Sequence, residues 1–207
     1  MATPLHPAQF GPGADSQVLS PLPPLSLITG GARSGKSAYG EALIKAHPAA
    51  GSLPLYLATA EAMDKEMAER IRRHRSRRGA GWETIEEPLD IAGVLKAHAH
   101  RAILLDCLTL WLSNLLAAGH DPAQDSDRLV EVLGAVTGPV VIITNEVGQG
   151  IVPENELARR FRDEAGLLNQ SIAAIAAHVV LMAAGLPMTL KYPAAAATVR
   201  TVGVRRA

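Results

Sequence analysis

Hydrophobic residues are grouped in short uninterrupted runs, and the intervals between them carry either glycine-rich turns or apolar positions at helical spacing. The runs at 25–29, 53–59, 102–107, 139–144 and 179–184 have the length and aliphatic make-up of strands buried on both faces. Helices are predicted over 37–45, 64–78, 88–97, 108–118 and 154–176. Pro88 is taken to open the third, because proline is tolerated in a first turn. In the second, Met63, Met67 and Ile71 recur every four residues and mark an apolar stripe. A short last strand is predicted over 188–191, after a turn at Gly185, Leu186 and Pro187, so the chain should end in a short antiparallel hairpin. Apolar strands alternating with helices predict an α/β fold, a mostly parallel sheet with helices on both faces. The expected organisation is a flexible leader over 1–24, one domain over 25–191 and a mobile tail over 192–207.

Composition narrows the class. With 207 residues, 48% hydrophobic and 19% charged, the chain can bury a sizeable core, and wholesale disorder is excluded. Aromatics are only 3%, so that core is aliphatic and little is left for stacking nucleic-acid bases. Twenty Lys and Arg balance twenty Asp and Glu, which removes any global attraction to nucleic acid or anionic membrane and requires a basic site to be local. Two stretches approach the roughly 20 residues of a membrane span. Asp106, Thr109, Ser113 and Asn114 interrupt one; His178, Gly185 and Pro187 interrupt the other, so each reads as a buried strand and helix end to end. The lone Cys107 excludes an intrachain disulfide and a Cys-rich zinc site, and fits a reducing, cytoplasmic setting.

One motif carries chemistry directly. Gly30, Gly31, Ala32, Arg33, Ser34, Gly35, Lys36 and Ser37 satisfy every fixed position of the eight-residue phosphate-loop pattern, after a predicted strand and opening a predicted helix. The glycines let backbone N–H groups face an anion, and the helix adds the positive end of its dipole. Lys36 is then placed for the terminal phosphates and the Ser37 hydroxyl for Mg²⁺. Phosphate-loop proteins also use an acidic residue at the end of a second apolar strand. Asp106 stands there; it serves either the metal or as a cap of the helix beginning near Leu108. Cys107 beside it reads as a core residue rather than a nucleophile.

Residues 70–78 hold six arginines around His74 and no acid. On a helical wheel His74 lies about 20° from Met63, on the apolar stripe, with Arg70 and Arg78 one turn to either side. Two readings stay open: a satisfied core histidine, or an imidazole kept neutral by its cationic neighbours and therefore nucleophilic. The arginines themselves are suited to triphosphate oxygens, by bidentate hydrogen bonds.

Several stretches together resemble the bifunctional adenosylcobinamide kinase / adenosylcobinamide-phosphate guanylyltransferase family of cobalamin biosynthesis. They are Thr29 through Ser37; Tyr56-Leu57-Ala58-Thr59-Ala60; Glu66 to Ile71 leading to His74; Trp82 to Pro88; Leu104 to Thr109; and, most specifically, Thr144-Asn145-Glu146-Val147-Gly148-Gln149-Gly150-Ile151-Val152-Pro153-Glu154-Asn155. The likeness runs over about 25–191 in the family's order. It implies a RecA-like phosphate-loop fold, GTP and ATP as substrates, Mg²⁺, adenosylcobinamide and its phosphate as acceptors, and a homotrimer. By residue it places the guanylylated histidine on His74, and nucleotide contacts on Gly30 to Ser37, on Ala58, Thr59 and Ala60, and on Arg75, Ser76, Arg77 and Arg78. Acidic positions near the nucleotide fall on Glu86 and Asp106. Arg73 stands where some relatives carry a second histidine, and Asp106 where some carry the longer Glu.

The implied chemistry attaches GMP to His74 and passes it to cobinamide phosphate, after a separate γ-phosphoryl transfer to the cobinamide hydroxyl. Glu146, at the carboxyl end of a parallel strand, is expected either to orient the substrate hydroxyl or metal, or to brace its own loop. Gly79 to Gly81 could act as a hinge for the His74 helix, since the α- and γ-phosphorus atoms lie several ångströms apart. Three rival readings are a guanylyltransferase without the kinase half, a small-molecule kinase that needs Lys36 but not His74, and a nucleotide-switched or nucleic-acid-binding module.

Overall fold

The computed structural model describes residues 21–48, 52–61, 69, 72 and 79–192. His74, Arg75, Ser76, Arg77 and Arg78, and most of the helix expected over 64–78, lie outside these residues, as do nearly all of the leader and tail.

Among the described residues one seven-stranded sheet organises the chain. Its strands are β1 (Leu25–Gly30), β2 (Leu55–Ala58), β3 (Glu83–Glu86), β4 (Ile103–Asp106), β5 (Val140–Ile143), β6 (His178–Ala183) and β7 (Leu186–Lys191), in the spatial order β3-β2-β4-β5-β1-β6-β7. All pairs are parallel except β6 with β7, which form the expected antiparallel hairpin around Ala184 and Gly185, both at positive φ. The helices that lie wholly among the described residues are α1 (Lys36–Ala46), α2 (Ile91–Ala97), α3 (Leu108–Ala118), α4 (Pro122–Ala135) and α5 (Glu156–Ile175).

The continuous apolar runs become central strands because alternate residues serve two cores. Leu27, Ile103, Leu105, Val140 and Ile142 join Ile91, Leu95, Trp111, Leu115, Leu129, Leu168 and Ile172 on the face covered by α2 to α5. Ile28, Leu104, Val141 and Ile143 join Tyr39, Leu43 and Ile44 of α1, with Tyr56 and Trp82, on the other. Gly40 lets α1 approach that second face closely: a Cβ there would lie 2.9 Å from methyls of both Ile143 and Leu104. Helix and sheet are thus locked together behind the loop that precedes α1.

Four expectations need correction. The helix expected from Pro88 begins at Ile91, because Asp90 is its N-cap and accepts from the Gly93 N–H at 3.0 Å. The short strand β3 and the whole of α4 lie where no element was expected. α4 announces itself only by Asp121, which caps the Ala123 N–H, followed by Pro122 in the first turn. The last strand starts at Leu186, with Leu186 and Pro187 in the ladder rather than in the turn.

Candidate functional site

The sheet register brings the chemistry to one edge. Glu86 pairs with Ala58, Ala58 with Asp106, Asp106 with Ile143, and Ile143 with Ile28, so β3, β2, β4 and β5 end level while β1 runs two residues further, to Gly30. At this edge the chain leaves the strands for their loops, the place where open parallel sheets bind ligands.

From β1 the chain enters the phosphate loop. Gly30 has φ 142, and a Cβ on it would sit 2.3 Å from the Met182 carbonyl oxygen, so only glycine is accommodated. Ser34 N–H donates to the Gly31 carbonyl, and the Ser34 carbonyl accepts from Gly185 N–H at 3.1 Å, which ties the loop to the β6–β7 turn. Gly35, left-handed at φ 97, is the N-cap of α1; no side chain caps that end and no acidic residue lies in its first turn. The end of α1 therefore presents backbone donors and the positive pole of the helix to the loop. Lys36 is buried, and its Nζ curls back into the loop, donating to the Gly31 carbonyl at 2.6 Å and to Ser34 Oγ at 3.4 Å. Ser37, next in the same turn, is half-buried.

At the end of β4 the half-buried Asp106 does not cap α3, whose N-cap is Cys107 without a side-chain bond to the helix backbone. Instead its Oδ2 accepts from the Tyr56 hydroxyl at 2.6 Å. Thr59, fully buried, receives the Cys107 N–H at 2.9 Å and donates its hydroxyl to the Cys107 carbonyl at 2.8 Å, so Ala58, Thr59 and Ala60 are pinned beside Asp106. The Cys107 thiol is pushed up from 9.0 to about 11, first by burial and then by the Asp106 charge, which leaves it protonated and inert.

The β5 loop closes the row. Thr144 donates its hydroxyl to Asn169 Oδ1 at 2.7 Å, Asn169 Nδ2 donates to the Asn145 carbonyl at 3.3 Å, and Asn145 Nδ2 donates to Thr109 Oγ1 at 2.5 Å. This partly buried relay joins α5, the loop after β5 and α3. It also sets Glu146, whose N–H donates to the Gly30 carbonyl at 3.1 Å, directly against the phosphate loop. One Glu146 oxygen, Oε1, accepts the Gly148 N–H of its own loop at 2.6 Å.

Gly30 to Ser37, Ala58 to Ala60, Glu86, Asp106 and Glu146 therefore share one edge, with Glu86 exposed at its far end. Tyr56, Thr109, Asn145 and Asn169 enter the site only through the fold. The first three lie within stretches that carry the resemblance, yet nothing in the spacing joins them to their partners. A Ser hydroxyl and a carboxylate are hard oxygen donors, and Mg²⁺ in phosphate-transfer sites is held by one or two such groups together with substrate phosphates. Ser37 and Asp106 fit that donor set, although no cluster of three potential ligands occurs among the described residues.

Residues 26–190 match the family described as cobinamide kinase / cobinamide phosphate guanyltransferase. The chain belongs to this family. It is a nucleotide-using transferase of cobalamin biosynthesis with a kinase and a guanylyltransferase activity. The chain is 50% identical over 169 residues to the bifunctional adenosylcobalamin biosynthesis protein CobP of Pseudomonas aeruginosa, covering 80% of this chain and 96% of that one. It is 43% identical over 182 residues to the bifunctional adenosylcobalamin biosynthesis protein CobU of Salmonella typhimurium, covering 80% and 98%. The corresponding Escherichia coli protein is 39% identical over 182 residues, with the same coverage. Among solved structures, the ATPase domain of G40P is similar at a TM-score of 0.44 and 14% identity, covering 76% of this chain and 68% of that one. No helix among the described residues is long and apolar enough to cross a membrane.

Proposed function

We propose that one nucleotide site at this sheet edge serves both activities, with His74 as the covalent carrier of GMP. In the kinase half, the aminopropanol hydroxyl of adenosylcobinamide gives up its proton and attacks the γ-phosphorus of ATP or GTP, and the nucleoside diphosphate leaves. In the second half, a ring nitrogen of His74 attacks the α-phosphorus of GTP, forming an N–P bond as pyrophosphate departs. A phosphate oxygen of cobinamide phosphate then displaces the histidine, giving adenosyl-GDP-cobinamide and restoring the imidazole. Splitting one displacement into two is the gain of covalent catalysis.

The observation that carries the nucleotide site is Lys36 turned into a loop of backbone donors at the end of β1, on the same edge of the sheet as Asp106. On this reading the loop N–H groups and Lys36 cradle the phosphates, and Arg75, Arg77 and Arg78 add bidentate donors. Ser37 and Asp106 would hold Mg²⁺, which neutralises phosphate charge when bound. Glu146 stands close enough to the loop to orient the accepting hydroxyl through the oxygen not engaged by Gly148. Motion at Gly79–Gly81, an exposed 3-10 turn with Gly79 at φ 65, would let the His74 segment reach the α-phosphate. The working assembly is the homotrimer that the resemblance implies.

Exposure to α-labelled GTP should transfer label to the protein and leave a GMP adduct on His74 by mass spectrometry. His74→Ala should take up none while still phosphorylating adenosylcobinamide. Label that survives the substitution would sink the covalent assignment. A Glu146→Gln protein with full kinase activity would remove Glu146 from the reaction.

A further inference from the structure

We propose that Tyr56 is a positioning residue for the nucleotide-bound metal, acting through the Asp106 carboxylate. The inference rests on the assignment of Asp106 to Mg²⁺ and adds the residue that aims it. Tyr56 lies in β2 opposite Leu104 of β4, and Asp106 is two residues further along β4, on the same face of the sheet. The phenol therefore reaches diagonally across the pair, from a neighbouring strand, to the last residue of β4. At 2.6 Å its hydroxyl donates to Oδ2, within the short range of charge-assisted O–H···O⁻ bonds.

Three consequences follow from that geometry. First, a carboxylate on a short Asp side chain can rotate about its terminal bond; a fixed donor on one oxygen removes that freedom and leaves Oδ1 as the oxygen for a ligand. Second, the donor is itself immobile. Tyr56 is buried, and Trp82 packs against its ring edge to face, with centroids 5.9 Å apart and planes at 86°. Third, the phenol brings no positive charge, so it orients the carboxylate without competing for it as a Lys or Arg would. A donor fixed behind a ligating carboxylate is the usual arrangement by which outer residues tune metal affinity.

The test uses the full-length protein and a fluorescent N-methylanthraniloyl GTP, titrated with Mg²⁺ present and with EDTA. The measured quantity is the Mg²⁺ increment, the ratio of the two dissociation constants. Tyr56→Phe should reduce this increment about tenfold while leaving affinity in EDTA unchanged. Asp106→Asn should abolish it, and the double variant should lose nothing beyond Asp106→Asn alone. Trp82→Phe, which loosens the ring without removing the hydroxyl, should lower the increment by a smaller factor. An unchanged increment in Tyr56→Phe overturns the proposal, as does an equal loss with and without Mg²⁺, which would report general damage to the site. A full increment in Asp106→Asn would overturn the metal assignment first and this inference with it, so the two failures are distinguishable.

Discussion

The two edges of the sheet are built from similar residue types and put them to opposite uses. At the amino edge polar groups bond chiefly to one another, with the Nε of Arg101 left buried without a partner. Arg101 is buried just before β4; it donates to the Leu53 carbonyl at 2.6 Å and pairs with Glu83 at 2.7 Å, at the starts of β2 and β3. Thr137 and Gly138, before β5, donate their N–H groups to the Ala99 carbonyl, and a Cβ on Gly138 would lie 2.2 Å from the Arg101 carbonyl oxygen. At the carboxyl edge Asp106 and Glu146 are each held through one oxygen, while Lys36 bonds twice within its own loop. Tyr56 holds one oxygen of Asp106, Gly148 one oxygen of Glu146, and the end of α1 has no side-chain cap. One edge is closed on itself and stabilises; the other is preorganised and keeps valences for substrate.

If that contrast is right, substitutions should separate activity from stability according to edge. The largest effect belongs to Lys36→Ala, which should lower phosphoryl transfer about 10²- to 10³-fold. Its melting temperature should stay within about 2 °C of the parent, as checked by calorimetry beside a steady-state assay. A large thermal loss would place Lys36 among the structural residues. Arg101→Met, at the other edge, should cost about 2 kcal/mol in urea titration, chiefly because it takes the donor from the Leu53 carbonyl, the half-exposed Glu83 being resolvated by water. The folded fraction should keep its kcat.

Cys107 is the case that sharpens the contrast, since it sits at the carboxyl edge but acts only on stability. Its thiol titrates near 9.0 when unfolded and about 11 when folded, so above pH 9 the unfolded chain releases a proton that the folded chain retains. Stability should therefore be intact below pH 9 and fall by up to about 2 kcal/mol as pH rises toward 11. In Cys107→Ala the same urea titrations, without metal or nucleotide, should lack this slope. The smallest effect is a baseline away from both edges: Arg128 meets Asp90 at 3.1 Å with both side chains more than half exposed. Arg128→Ala should change stability by no more than about 0.5 kcal/mol.

How far these features were legible in the sequence depends on how locally each is encoded. The phosphate loop is contiguous, and the buried strands announce themselves as aliphatic runs, so β1, β4, β5 and β6 stand within a residue or two of where the pattern puts them. β3 was missed because Glu83, Thr84, Ile85 and Glu86 form an edge strand with one apolar residue and only β2 to pair with. α4 was missed because its first half, from Pro122 to Arg128, is polar after the proline, and only Pro122, Leu129 and Leu133 are buried. In the site, Asp106 could be placed at a strand end but not assigned a partner. Tyr56 is 50 residues away in sequence, and only the register of β2 against β4 brings its hydroxyl to the carboxylate. The relay through Thr109, Asn145 and Asn169 is of the same kind, three helices and strands meeting at side chains with no common spacing.

The hydrogen bond between Ser34 and Gly185, with Gly30 pressed on the Met182 carbonyl, also bears on the order in which the protein is made. β1 leaves the ribosome before every other strand of the sheet, yet its two neighbours, β5 and β6, follow only after β2, β3 and β4. A nascent chain released only as far as α4 would carry the complete phosphate-loop motif with no strand on either side of it. The motif is thus synthesised early and becomes a binding site late, when the final hairpin arrives to form its wall. Ribosome-stalled chains of increasing length should accordingly acquire GTP binding in one step after β6 and β7 emerge, rather than gradually from the N-terminus onward.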